Sequence, residues 1–177
     1  MKKEEKESPS KNAQIEEFLS ARYEFRYNTV LHRAEYRPQG TGDYTAIDRY
    51  RINTLKRALD KEADVQTSPE NLYSIIESDF SPRVNPVQAY FHSLPMVDAV
   101  EQEAISALAN CVSVANPEKW REYLTKWLVA VVANAMDDKL CRNHTCLVLT
   151  GEQGKFKTTF LDLLCPPSLS DYRYTGK

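Results

Sequence analysis

Cys146-Leu147-Val148-Leu149-Thr150-Gly151-Glu152-Gln153-Gly154-Lys155-Phe156-Lys157-Thr158-Thr159-Phe160-Leu161 is the stretch from which the fold is read. Residues 146–149 form a short continuous apolar run, as expected of a buried parallel strand. Beyond the glycines, Phe160, Leu161, Leu163 and Leu164 can bury one side of a helix, which Pro166-Pro167 stops. Strand, glycine loop and helix in that order match the phosphate-binding pattern G-x-x-x-x-G-K-[ST]. Such a loop wraps backbone N–H groups around phosphate oxygens and hands the anion to a helix start.

The side chains fall into matching roles. Gly151 opens the loop, with Glu152, Gln153, Gly154, Lys155 and Phe156 forming its body. Lys157 is placed to reach the β- and γ-phosphates of ATP, Thr158 to hold Mg²⁺, and Thr159 to offer a further hydroxyl. One position departs from the pattern: Phe156 stands where the motif has glycine. If that backbone needs a positive φ, phenylalanine costs roughly 1–2 kcal/mol there.

Working outward, the Trp120, Tyr123, Leu124, Trp127, Leu128, Val131, Ala135 series predicts a helix that starts at Asn116-Pro117. With Val129, Val132 and Met136 its apolar arc is wide, which predicts a central core helix. A preceding helix is expected over 98–112. Further back, Ser68-Pro69 and Asn85-Pro86 are helix starts, and Asp48 caps a helix through Glu62 with Ile52, Leu55 and Leu59 inward. Tyr23, Phe25 and Tyr27 alternate with Glu24, Arg26 and Asn28, and residues 33–37 alternate likewise, so the two runs predict a hairpin. A short helix with Ile15, Phe18 and Leu19 on one face precedes it.

The fold class that follows is α+β and mostly helical. It comprises a leader at 1–11, expected to be disordered, a small hairpin-and-helix unit at 12–93, a helical region at 94–140, and the first strand–loop–helix of a P-loop core at 141–177. A lone parallel strand leaves its edges unpaired. The strand at 147–149 must therefore borrow a partner from residues 23–37, dimerise, or stay poorly ordered.

Composition narrows the setting. The chain has 177 residues, 42% of them hydrophobic, and a net charge of −2, so nothing global demands a nucleic-acid partner. The charge is uneven: residues 119–177 carry nine Lys/Arg against six Asp/Glu, and residues 1–118 carry 14 against 19. No membrane helix or signal peptide is evident, and four cysteines without a scaffold pattern point to a reduced cytoplasm. Cys141, His144 and Cys146 have no second ligand pair at zinc spacing, so the nucleotide's Mg²⁺ is the one metal expected. Two basic features invite a DNA reading: the hairpin, where tyrosines mix with arginines, and the face of the 48–62 helix bearing Arg49, Arg51, Lys56 and Arg57. For both, an ordinary amphipathic surface is the simpler expectation.

The run from Cys146 to Gly154, continuing through Lys157-Thr158-Thr159-Phe160-Leu161 to Leu164-Cys165-Pro166-Pro167, resembles the virulence-associated E (VirE) family. The Trp120–Trp127 helix and the Tyr172-Arg173-Tyr174-Thr175-Gly176-Lys177 ending fit the same resemblance, which extends from about residue 45 and is strongest over 117–177. It implies a helicase-like P-loop ATPase of mobile elements acting in DNA replication, homo-oligomeric, with Lys157 and Thr158 on phosphate and Mg²⁺. A member of this kind continues with an acidic Walker-B strand, a sensor and an arginine finger. Asp162 and Asp171 lie too near the loop to be that acid, so no catalytic residue is expected here and the chain reads as an N-terminal fragment. The alternative from another class is a non-enzymatic adaptor that binds DNA or protein through residues 12–93, with a vestigial loop.

Overall fold

The computed structural model describes residues 9–95, 101–137 and 145–174. The expected leader lies largely outside these residues, as does the Cys141–His144 part of the candidate ligand set. The chain divides into two compact units, Met1–Pro86 and Val87–Lys177. The expected boundary between residues 93 and 94 lies a few residues beyond this division. The protein is α+β and mostly helical. Among the described residues no helix is long and apolar enough to cross a membrane.

In the first unit, α1 (Lys11–Arg22) is capped by Ser10, whose hydroxyl accepts the Ala13 N–H. Its Ile15, Phe18 and Leu19 face inward at i, i+3 and i+4 and are buried. The chain then runs into β1 (Tyr23–Asn28), turns, and returns as β2 (Arg33–Pro38). The antiparallel register runs from Tyr23↔Pro38 to Asn28↔Arg33. Asn28 fixes the turn by accepting the N–H groups of Val30 and Leu31 on its side-chain oxygen. A short β3 (Thr45–Ala46) adds to β2, and β4 (Arg83–Val84) joins β1 in parallel, which gives the order β3-β2-β1-β4. Two helices complete the unit: α2 (Arg49–Glu62), capped by Asp48, and α3 (Pro69–Ile76), capped by Ser68.

Strand alternation sorts the hairpin into two chemistries. Phe25 and Ala34 enter one core with Ile15, Leu19, Ile52, Leu55, Leu59, Leu72 and Ile76, while Tyr23 and Tyr36 pack at its edge. The other face is ionic. Glu35 is only 2% exposed, and its carboxylate accepts from Arg26 Nε and Nη2 (2.9 and 2.7 Å), Arg33 Nε (3.0 Å) and Asn28 Nδ2 (3.0 Å). Glu24 accepts from Arg37 Nε and Nη2 (2.8 and 2.6 Å), the Gly40 N–H (2.8 Å) and the Tyr44 hydroxyl (3.0 Å). Arg26 and Arg37 also lie against the Tyr44 ring, 3.9 and 4.6 Å from its centroid. The loop after β2 is thus tied down on the polar face.

The second unit holds α4 (Pro86–Ser93), α5 (Glu101–Asn110), α6 (Pro117–Met136), α7 (Lys157–Leu163) and a 3-10 turn at Pro167–Tyr172. Two expectations change here. Helix α6 is not enclosed: Trp120 and Leu124 are buried, but Val129 is 62% and Val132 41% exposed. Its wide apolar arc meets a partner along one side only. Residues 145–150 are not a strand among the described residues. They keep the alternation of one, with Leu147 and Leu149 packed against the α5–α6 core and Cys146 and Val148 exposed.

Burial pushes the Glu35 carboxyl up, but the hydrogen bonds from Arg26, Arg33 and Asn28 outweigh it and hold the group below the usual carboxylate range. Its folded value lies below its unfolded one, so its contribution is present above the ordinary glutamate pKa of about 4.3. That contribution is lost as pH falls through the lower folded value. We predict that Glu35→Ala destabilises the first unit by about 3 kcal/mol at neutral pH, because it strands two guanidiniums. Urea denaturation across pH 2–7 should also show a weaker acid-side decline in Glu35→Gln than in the wild type, and parallel curves would contradict the assignment.

Candidate phosphate-binding loop

Residues 151–159 hang between two anchors. Before the loop, Leu147 and Leu149 pack beside Trp120 and Leu124; after it, Phe160 joins the same cluster, its ring 6.1 Å from that of Trp120. The indole is itself fixed, because its Nε1–H donates to the Ala109 carbonyl at 2.9 Å in a buried setting. Helices α5 and α6 thereby form a stand for the loop. The 3-10 turn closes the unit from the far side: Arg173 Nη1 binds Asp162 Oδ1 at 2.9 Å, and Leu169 is buried.

Within the loop the backbone enters left-handed space at Gly151 (φ 145°), Gly154 (φ 82°) and Phe156 (φ 55°). A Cβ on either glycine would meet nothing within 4 Å, so the glycines serve the backbone angle and not a close approach. Phe156 is the residue just before α7 and holds the left-handed position that the motif gives to glycine. Its ring is 78% exposed. The strain anticipated from the sequence is therefore present, and no packing of the ring offsets it.

Lys157 is half-buried and bends back over the loop. Its Nζ donates to the carbonyls of Gly151 (2.9 Å) and Glu152 (2.6 Å). Helix α7 has no side-chain cap, so its first-turn N–H groups are left without an intrahelical or side-chain partner. Thr158 and Thr159 lie exposed on that turn. Glu152, Gln153 and Lys155 are exposed as well, with Glu152 and Lys155 in a loose 3.6 Å pair. The structure thus brings together an ammonium, uncapped helix amides and two hydroxyls, a donor set suited to a phosphate and a hydrated divalent cation. Asp162 faces Arg173 rather than the loop lysine. That pairing was not foreseen, since nothing in their spacing of 11 residues marks it.

The other candidate surface fares differently. The hairpin arginines Arg26, Arg33 and Arg37 are all engaged by Glu24 and Glu35, and Tyr23 and Tyr36 pack against the core. The arginines of the stacking, phosphate-neutralising face expected of the hairpin are therefore held in ion pairs, with Arg33 still 43% exposed. The alternating carboxylates at 24 and 35 were the signal for it.

Replacing Phe156 by glycine should relieve left-handed strain of about 1–2 kcal/mol, partly offset by the greater unfolded-state entropy of glycine. We expect Phe156→Gly to be more stable by about 0.5–1 kcal/mol in thermal or chemical denaturation. A lower midpoint would show that the ring contributes to folding.

Residues 94–175 match the family model of the virulence-associated protein E-like domain. No curated protein and no solved structure matches the chain. The match begins at residue 94, later than the residue 45 that the resemblance suggested, so the whole of the helix-and-hairpin unit stands outside it. It takes in α5, α6, the loop and α7, and over these residues the chain is similar to the virulence-associated protein E-like domain.

Proposed function

We propose that residues 151–159 bind the phosphates of Mg²⁺-ATP, as the nucleotide-binding part of a helicase-like ATPase acting on DNA. The observation that carries this reading is the Lys157 ammonium, held over the loop by two backbone carbonyls it can exchange for phosphate oxygens. Lys157 and the first-turn amides of α7 would neutralise phosphate charge, with Thr158 on the Mg²⁺ and Thr159 as a further donor. Bound Mg²⁺ would supply charge neutralisation between the phosphates. The chain's own contribution is binding and orientation, since Asp162 is paired with Arg173. Hydrolysis calls for an acid and an arginine from elsewhere in the assembly.

A second reading has one observation in its favour. The left-handed, exposed Phe156 is what a loop released from nucleotide binding would tolerate, and the protein would then act as an adaptor.

Calorimetric titration of Mg²⁺-ATP separates the two. Charge-assisted hydrogen bonds are worth about 1.5–3 kcal/mol, so Lys157→Ala should weaken binding roughly 10–100-fold. The circular dichroism spectrum should not change, and Thr158→Ala should reduce the dependence on Mg²⁺. Equal affinity in wild type and Lys157→Ala would sink the assignment. Absence of binding by the wild type, with binding by Phe156→Gly, would establish the vestigial reading.

A further inference from the structure

The hairpin's arginines are held in ion pairs, whereas helix α2 carries cations that are not. Its residues divide sharply by partner. Arg51 pairs with Asp48 at 2.6 Å, Lys56 with Asp60 at 2.7 Å, and Glu62 with Arg22 at 3.0 Å. Every acid of the helix and its cap is engaged. Among the described residues Arg49, Arg57 and Lys61 have no ion-pair partner, and all three are exposed.

These cations lie on one arc. At 100° per residue, Arg49, Asp60, Asn53, Arg57, Tyr50, Lys61 and Thr54 follow one another around roughly 140° of the helix, with Asp60, the one acid among them, neutralised by Lys56. That arc is opposite the buried stripe of Ile52, Leu55 and Leu59. From Arg49 to Lys61 the charges extend over about 18 Å of helix axis. Tyr50 sits among them 80% exposed, the most open large hydrophobic side chain among the described residues of the first unit.

We infer that this outer arc of α2 is a binding surface for single-stranded nucleic acid. Three unpaired cations in line complement a phosphodiester backbone, and an uncovered phenol ring between them offers a stacking platform that every base can use. Asn53 and Thr54 add neutral polar groups. A membrane surface fits less well, because the arc presents no aliphatic side chain to insert. A duplex would meet the charges but bury its base faces away from Tyr50. The surface lies in the first unit and does not depend on nucleotide binding at residues 151–159.

The test is fluorescence anisotropy of a labelled deoxythymidine oligonucleotide with the full chain, across a salt series and without nucleotide. Three phosphate contacts on a single strand predict a log–log salt slope of about −2. Arg49→Gln/Arg57→Gln/Lys61→Gln should abolish that slope and weaken binding more than tenfold. Tyr50→Ala should weaken it about fivefold or more with the slope retained. All four side chains are exposed, so unchanged circular dichroism is expected, and Lys157→Ala should bind as the wild type does. Wild-type binding by the triple variant, or no binding at low salt, would overturn the inference. So would a preference for duplex DNA, phosphatidylserine vesicles or polyglutamate over the single strand.

Discussion

The indole of Trp120 is the contact on which the candidate site depends. Its N–H closes a buried hydrogen bond to α5 and its ring meets Phe160 at the start of α7, while Leu147 and Leu149 pack into the same cluster. A loop with three left-handed residues has little order of its own, since its N–H groups make no ladder and its side chains are exposed. Fixing both ends to one rigid pair of helices holds its lysine within reach of its own carbonyls. The apolar residues on either side of the glycines are thus part of the site, although none would touch a ligand.

A different constraint governs the first unit. Two carboxylates on the outer face of a hairpin each gather several donors, and the buried one, Glu35, would be costly without them. Paired, they fix the register of β1 against β2 and draw the β2–β3 loop onto the sheet through Tyr44. The same pairing neutralises the hairpin's arginines. Charge counted along the strand overstates what the surface offers, and the free cations appear on α2, where acids and bases do not balance.

Much of this architecture was legible in the sequence where local signals act alone. Asp48, Ser68 and Asn116 cap helices where expected, because an N-cap needs only a side-chain oxygen and its own following amides. The hairpin itself followed from strand alternation. Other features depend on long-range partners that spacing does not encode. The apolar arc of α6 showed how much surface is available for burial but not how much is covered, and Val129 and Val132 remain open. Residues 146–149 have a strand's composition, yet among the described residues no ladder partner accompanies them, and packing on helices alone sets their alternation. The donors that Lys157 and Arg173 give to backbone carbonyls were equally hidden, for any carbonyl in reach would serve.

Phe156 is the point where local and functional reasoning meet. A left-handed phenylalanine with an exposed ring is disfavoured twice over, by its backbone and by its hydration, and the fold around it supplies no compensating contact. The angle itself is imposed from both sides: Lys157 must start a helix that Phe160 directs at Trp120, while Gly154 has just reversed the chain. Glycine would meet that demand without strain. The loop geometry is therefore not a consequence of phenylalanine's own preferences. It is held by the neighbouring anchors, so the left-handed angle persists at a position where the side chain opposes it.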